Sequence, residues 1–197
     1  MRLRLPALTL AAVMLTGAAH AACTGKDDVQ AAFVKQHQKG WHTHTTSKSD
    51  AGVEQVQEFD YLPPDRMYRK VTSGSETVET IGIGRWAWSN IGAGWNELQP
   101  QFAQMVMSHL QHAFAAPKVT AEFACLGTVN FDGKDWTGYQ TTPEKTPDGL
   151  ELSRTILVDP ATGLPAFNII SAPGKLTEPL QKEAFSYPDG ISIEKPL

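Results

Sequence analysis

The chain has 197 residues, of which 17 are Lys or Arg and 21 are Asp or Glu, so its formal net charge is −4. Domains that bind nucleic acid or an anionic membrane surface carry a strongly basic patch. The sequence has no such patch, so neither partner is predicted. A chain of this length can bury a large hydrophobic core within a single domain.

The first 21 residues have the three parts of a cleavable secretory signal. Met1-Arg2-Leu3-Arg4 is the basic start, Leu5 to Ala18 is the apolar run, and Ala19-His20-Ala21 supplies the small residues that a signal peptidase reads. The apolar run is shorter than the ~20 residues of a membrane-spanning helix. We therefore predict cleavage after Ala21 and a periplasmic domain, residues 22–197, that is not an integral membrane protein.

Cys23 and Cys125 are the two cysteines of the chain. In an oxidising compartment an even number of cysteines predicts a disulfide, which here would join the start of the mature chain to its middle. The alternative is lipid attachment at Cys23. That reaction usually requires an aliphatic residue three positions before the cysteine, where this chain has His20. The prediction is a disulfide in a soluble product.

The hydrophobic pattern changes at Gly40. Before it, Asp27 to Lys39 has apolar residues at helical spacing, and after it short runs rich in β-branched and aromatic residues alternate with turn residues. Strands this short, joined by turns this tight, form hairpins, so the sheet is predicted to be antiparallel. The first five predicted strands are Trp41–Ser47, Val53–Tyr61, Arg66–Ser73, Glu76–Ile83 and Arg85–Asn90.

A second helix is predicted over Gln101–Ala115, between Pro100 and Pro117, because its apolar residues fall on one stripe. An antiparallel sheet of about 11 strands curls strongly, and two helices can cover only its inner side. The predicted fold is mainly β with α, a strongly curved antiparallel sheet that forms an unclosed barrel around the helices. The six later strands are Glu122–Phe131, Trp136–Thr142, Leu150–Val158, Leu164–Ser171, Thr177–Tyr187 and Ile191–Ile193.

Catalytic motifs are missing from the sequence: it has no Gly-x-Ser-x-Gly elbow, no His-Glu-x-x-His helix and no phosphate-binding glycine loop. His42 and His44 share one face of a strand and could bind a metal, but no cysteine or acidic residue of that strand joins them. His109 lies on the apolar stripe of the second helix and is predicted to be a core or cavity-wall residue. We predict a non-enzymatic protein without a cofactor or metal. Turns, where Asp caps its own backbone, hold Asp132, Asp135, Asp148, Asp159 and Asp189.

Large apolar side chains are concentrated between the third strand and the second helix. A hydrophobic core is the simpler explanation for each of them alone. Together, a curved sheet lined by Trp and Met suits a cavity for an apolar ligand. The sequence alone does not decide which face of each strand points inward. The candidate lining residues are Met67, Trp86, Trp88, Phe102, Met105, Val106 and Leu110.

Three stretches between Pro64 and Pro165 resemble, in this order behind a signal peptide, those of the periplasmic lipoprotein-carrier superfamily. That superfamily contains the outer-membrane lipoprotein-sorting carrier, sigma-factor regulators and mycobacterial lipid-binding lipoproteins. The resemblance implies an unclosed β-barrel covered by helices, with a hydrophobic cavity for acyl chains. The stretches are Pro64-Asp65-Arg66-Met67-Tyr68-Arg69, Glu79-Thr80-Ile81-Gly82-Ile83-Gly84-Arg85-Trp86-Ala87-Trp88 running to Gly94-Trp95, and Val158-Asp159-Pro160-Ala161-Thr162-Gly163-Leu164-Pro165.

The resemblance implies two classes of function. The first is a periplasmic binding protein that holds an acyl chain, a lipid or a lipoprotein in its cavity. The second is a regulatory module that contacts a protein of the cell envelope without a lipid ligand. Arg66, Arg69 and Arg85 all lie on predicted strands, and any of them could face the cavity.

Overall fold

The computed structural model describes residues 23–48, 52–115 and 117–197, so the predicted signal sequence lies outside the described residues. The described residues contain two helices, α1 (Lys26–Gln36) and α2 (Pro100–Phe114). Within these ranges, neither helix has the length and apolar character that crossing a bilayer requires. The strands are β1 (Trp41–Lys48), β2 (Glu54–Leu62), β3 (Arg66–Ser73), β4 (Glu76–Ile83), β5 (Trp86–Asn90), β6 (Trp95–Glu97), β7 (Ala124–Phe131), β8 (Lys134–Gln140), β9 (Glu144–Lys145), β10 (Glu151–Val158), β11 (Pro165–Ser171) and β12 (Gln181–Ser186).

The twelve strands form one antiparallel sheet that does not close. Its order is β6-β5-β4-β3-β2-β1-β12-β11-β10-β8-β7, with β9 added beside β10. The strands β1 to β6 follow one another as hairpins, and the last strand returns to pair with the first. The predicted fold class is confirmed, because the chain is mostly β with two helices and its sheet is open and antiparallel.

Both helices pack on the same face of the sheet. Leu110 of α2 lies against Trp41, Tyr61 and Met67, which are neighbours across β1, β2 and β3. On the other half of the same face, Val29 and Ala32 of α1 pack against β8 and β10. The sheet therefore encloses the helices on its inner face, and strand alternation sends the remaining side chains outward.

The outer face has hydrophobic clusters of its own. Ile81 and Trp88 are buried beneath Ile193 of the C-terminal segment, whose backbone carbonyl accepts a hydrogen bond of 2.8 Å from Arg66. Ile191–Ile193, predicted as a strand, therefore covers this cluster without joining the sheet. The strands β6 and β9 were not predicted either, because they have only three and two residues and so show no measurable alternation.

Helix α2 packs closely against the sheet at Gly82. A Cβ atom there would lie 2.9 Å from Leu110 Cδ1 and 3.0 Å from Val106 Cγ1. The residue paired with Gly82 on β5 is Ala87, which is completely buried. Small side chains at both positions allow the helix to approach the sheet, because a protein interior has little free volume to absorb larger ones.

The predicted disulfide is present between Cys23 and Cys125, with a Cα–Cα distance of 6.4 Å. It joins the residues before α1 to β7, an edge strand of the sheet. Because Cys23 Sγ is bonded to Cys125, it is not free to carry a lipid in this structure. The alternative of lipid attachment at Cys23 is therefore not supported by the structure.

We expect loss of this disulfide to lower the free energy of unfolding by about 2–5 kcal/mol, because it closes a long loop in the unfolded chain. Urea unfolding of the Cys23→Ser/Cys125→Ser double variant would measure the effect. As a control, reductant should destabilise the wild type and leave the double variant unchanged. Equal stability of the oxidised wild type and the double variant would contradict this expectation.

Candidate functional site

A cavity of about 430 Å³ lies between α2 and the inner face of the sheet at β2, β3 and β4. This volume is within the usual range for sites that bind small molecules, ~300–1,000 Å³. The strands contribute side chains from alternate positions, and the helix contributes side chains from successive turns. The lining residues are Gln57, Phe59, Met67, Arg69, Thr80, Leu98, Phe102, Met105, Val106 and His109.

The cavity wall is mainly apolar and contains no acidic residue. Two other cavities differ from it in character. One of about 400 Å³ is lined by charged groups that include Glu144, Lys145 and Arg154. One of about 250 Å³ lies between α1 and residues 117–123. The cavity beneath α2 has a larger volume than either, and its mainly apolar wall suits a long apolar group. Its apolar lining consists of Phe59, Met67, Leu98, Phe102, Met105 and Val106.

Four of the seven residues predicted from the sequence line this cavity, namely Met67 on β3 and Phe102, Met105 and Val106 on α2. Met67 is buried, whereas Phe102 and Met105 are 52% and 69% exposed and form the rim. Leu110 is buried in the adjoining core, where it holds α2 against the sheet and does not line the cavity.

Trp86 and Trp88 lie on the opposite face of the sheet, which corrects the predicted lining. In the β4–β5 pairing Ala87 is opposite Gly82 beneath α2, so both neighbouring tryptophans point outward. Trp88 packs under Ile193, and Trp86 is exposed beneath the guanidinium of Arg85. The physical reason is the closeness of α2, which leaves room on the inner face only for a small residue.

A tyrosine–histidine contact lies beside the cavity and involves the lining residue His109. The hydroxyl oxygen of Tyr61 lies 2.9 Å from Nε2 of His109, and both rings stack near Phe59. Burial, followed by the positive charges of Arg69 and His112, lowers the pKa of His109 below its ordinary value. A neutral His109 ring can accept a hydrogen bond from the Tyr61 hydroxyl. The prediction of His109 as a cavity-wall residue agrees with this placement.

Arg69 supplies the cationic part of the wall. Its guanidinium lies 5.5 Å from the ring centroid of Phe59, the residue of β2 that is paired with Arg69. Alternation along β3 places Arg69 on the inner face with Met67, whereas Arg66 bonds to the C-terminal segment on the outer face. From the sequence, Arg69 was one of three strand arginines that could face the cavity. The hairpin pairing fixes which face of the sheet each arginine is on, and the sequence alone does not give that pairing.

The residues that sequence analysis considered for metal binding do not converge. His42 and His44 share a face of β1, but each contacts a different carboxylate of β2. Nδ1 of His42 lies 2.8 Å from Asp60, and Nδ1 of His44 lies 3.7 Å from Glu58. In the part of the chain that the structure describes, the one group of three potential ligands contains Cys23 and Cys125. These sulfurs are joined to each other and are not available as thiolate ligands.

No protein-family model and no curated protein matches the sequence. Solved structures with a similar fold include MucB in complex with MucA(peri), which is 13% identical, with a TM-score of 0.46 over 83% of this chain and 54% of MucB. An uncharacterized conserved protein from Thermus thermophilus is 11% identical, with a TM-score of 0.46 over 84% of this chain and 89% of its own.

A putative outer membrane lipoprotein-sorting protein domain from Vibrio parahaemolyticus is 8% identical, with a TM-score of 0.33 over 85% of this chain and 94% of its own. The chain spans about half the length of the MucB structure that it matches. These neighbours include the type of protein that the sequence resemblance named. Likeness at this level carries no information about function.

Burial raises the pKa of Tyr61 above its ordinary value of 10.0, with a smaller contribution from Glu183. As the pH rises through about 10, the Tyr61 hydroxyl ionises in the unfolded chain before it ionises in the folded protein. The stability that Tyr61 contributes is therefore present below that pH and is progressively lost above it. We expect the wild type to exceed Tyr61→Phe by roughly 0.5–1.5 kcal/mol at pH 8 through the His109 contact, and less at pH 11. Chemical unfolding at both pH values measures this, and a difference that does not change with pH would contradict it.

Proposed function

We propose that the protein is a non-enzymatic binding protein of the cell envelope that holds an acyl chain in the cavity beneath α2. The observation that carries the proposal is the cavity of about 430 Å³ with six large apolar side chains in its wall. Methionine adapts to ligands of variable shape, and aromatic rings provide contact area with little loss of conformational freedom. Binding of this kind requires no catalytic group.

Burial of hydrocarbon provides enough free energy for such binding. Each buried CH₂ contributes ~0.8 kcal/mol, so a chain of about twelve carbons gains roughly 10 kcal/mol before the costs of association. Those costs include lost translational freedom and ordering of the exposed rim. Phe102 and Met105 are exposed at this rim, which gives a chain a route into the cavity from solvent.

The envelope location is supported by the disulfide, because such bonds persist in oxidising compartments such as the periplasm. The predicted signal sequence supports the same location. The exposed Phe102 and Met105 would also suit contact with an envelope protein, which is the alternative function. Ligand-binding measurements distinguish the two, because a module that contacts only proteins needs no accessible hydrocarbon site.

We expect Met105→Asp to reduce binding of a fluorescent fatty acid at least about tenfold, because the bound chain would cover the new carboxylate at the rim and remove part of its water. Fluorescence titration measures the affinity, and the thermal unfolding midpoint reports on the fold. Met105 is 69% exposed, so the variant should fold normally.

Gln104→Asp is the matched control, because Gln104 is an exposed residue of the same helix that does not line the cavity. The control should bind the probe like the wild type. If the folded wild type does not bind the probe, or if both variants bind it equally well, the acyl-chain proposal fails. Contact with an envelope protein, without a lipid ligand, then becomes the better hypothesis for the function.

A further inference from the structure

Arg69 lies in the cavity wall, and its guanidinium makes no hydrogen bond or ion pair with any of the described residues. Its Nε atom is buried and has no hydrogen-bond partner. In the described ranges, only one other buried side-chain nitrogen or oxygen, Ser153 Oγ, has this property. A guanidinium is always charged at physiological pH and has five donors in a fixed planar arrangement. An unpaired donor of this type in a cavity wall therefore calls for an acceptor from outside the chain.

Two other arginines of the sheet have protein partners. Arg66 donates to the Ile193 carbonyl oxygen at 2.8 Å, and Arg154 donates to Asn168 Oδ1 at 2.8 Å. Asn168 in turn donates to the Glu183 carboxylate at 2.9 Å. Glu183 therefore interacts with Asn168 and Arg154 and not with Arg69. No ion pair among the described residues includes Arg69.

The surroundings of Arg69 favour an anion over any other ligand group. In the register of the sheet its neighbours on the inner face are Phe59 on β2 and Thr80 on β4, and neither is charged. The remaining ionisable residue of the wall is the base His109. An anion would therefore meet no like charge in the cavity, and it would pair with a guanidinium that has no partner among the described residues.

We infer that the ligand is an anionic amphiphile whose compact head group, a carboxylate or a phosphate, binds Arg69 while its chain lies against Leu98, Phe102 and Met105. Two oxygens of such a group match the planar donors of a guanidinium, which makes this pairing stronger than one with a neutral acceptor. The inference rests on the proposed function and adds to it the chemical class and the orientation of the ligand.

The test compares four probes of equal chain length by isothermal titration calorimetry at concentrations below micelle formation. They are decanoate, decyl phosphate, 1-decanol and decyltrimethylammonium. We expect the wild type to bind at least one of the two anions about tenfold more tightly than 1-decanol, and the cation most weakly. The ratio between decanoate and decyl phosphate identifies whether the natural head group is a carboxylate or a phosphate.

Arg69→Met removes the charge and keeps an apolar stem, so anion affinity should fall about 10- to 100-fold while affinity for 1-decanol is kept. Arg69→Lys keeps the charge without the planar donors and should retain an intermediate preference, which provides a second variant if the Met variant does not fold. Arg85→Met is the matched control, because it removes the same charge from an exposed residue that lies over Trp86, outside the cavity.

The outcomes separate this inference from the proposed function. A preference for an anion that is lost in Arg69→Met and kept in Arg85→Met supports the inference. Equal binding of the anions and 1-decanol by the wild type, or a preference that survives in Arg69→Met, overturns it and leaves the acyl-chain proposal intact. If the folded wild type binds none of the four probes, both proposals fail.

Discussion

Helix α2 lies against the sheet through Leu110, whose side chain packs among Trp41, Tyr61 and Met67. The rest of the site depends on this contact. It brings Val106 so near the sheet that a Cβ atom at Gly82 would lie 3.0 Å from Val106 Cγ1, and it positions Phe102 and Met105 beside the cavity, closer to the start of the helix. Without it, the inner faces of β2, β3 and β4 would be an open apolar surface and not the wall of a cavity.

The position of α2 is also linked to the other half of the molecule. Nε2 of His37, just after α1, lies 2.8 Å from the carbonyl oxygen of Ala113 near the end of α2, and its Nδ1 lies 2.8 Å from the carbonyl oxygen of Phe33. The residues before α1 are in turn joined to β7 by the disulfide. The two helices and the edge strand β7 therefore form a connected support, so that the cavity is held by more than the contacts of α2 alone.

Strand bounds can be predicted where strand-forming residues and turn chemistry agree. The strands Arg66–Ser73 and Glu76–Ile83 have the predicted bounds, because a Ser-Gly-Ser turn separates them and both are rich in β-branched or aromatic residues. Prediction fails where elements are very short, as in β6, and where an extended segment packs without pairing, as in Ile191–Ile193. Local sequence does not report whether a neighbouring strand is available for hydrogen bonding.

For the site as well, some residues could be predicted from the sequence and others could not. Apolar spacing on α2 was enough to nominate Phe102, Met105 and Val106, but the inward face of a strand depends on register, which places Ala87 inside and both tryptophans outside. The role of Arg69 follows from the absence of a partner, and that can be recognised only after the sheet has placed every neighbouring side chain.

The central claim is that the cavity beneath α2 belongs to a ligand. Native mass spectrometry of the full chain, expressed with its predicted export signal and purified from the periplasm without detergent, tests it most directly. The account predicts a population heavier than the disulfide-bonded polypeptide by the mass of one amphiphile, which extraction with organic solvent removes. A protein that has the mass of the polypeptide alone in every preparation, and that takes up no amphiphile when one is added, would contradict the account.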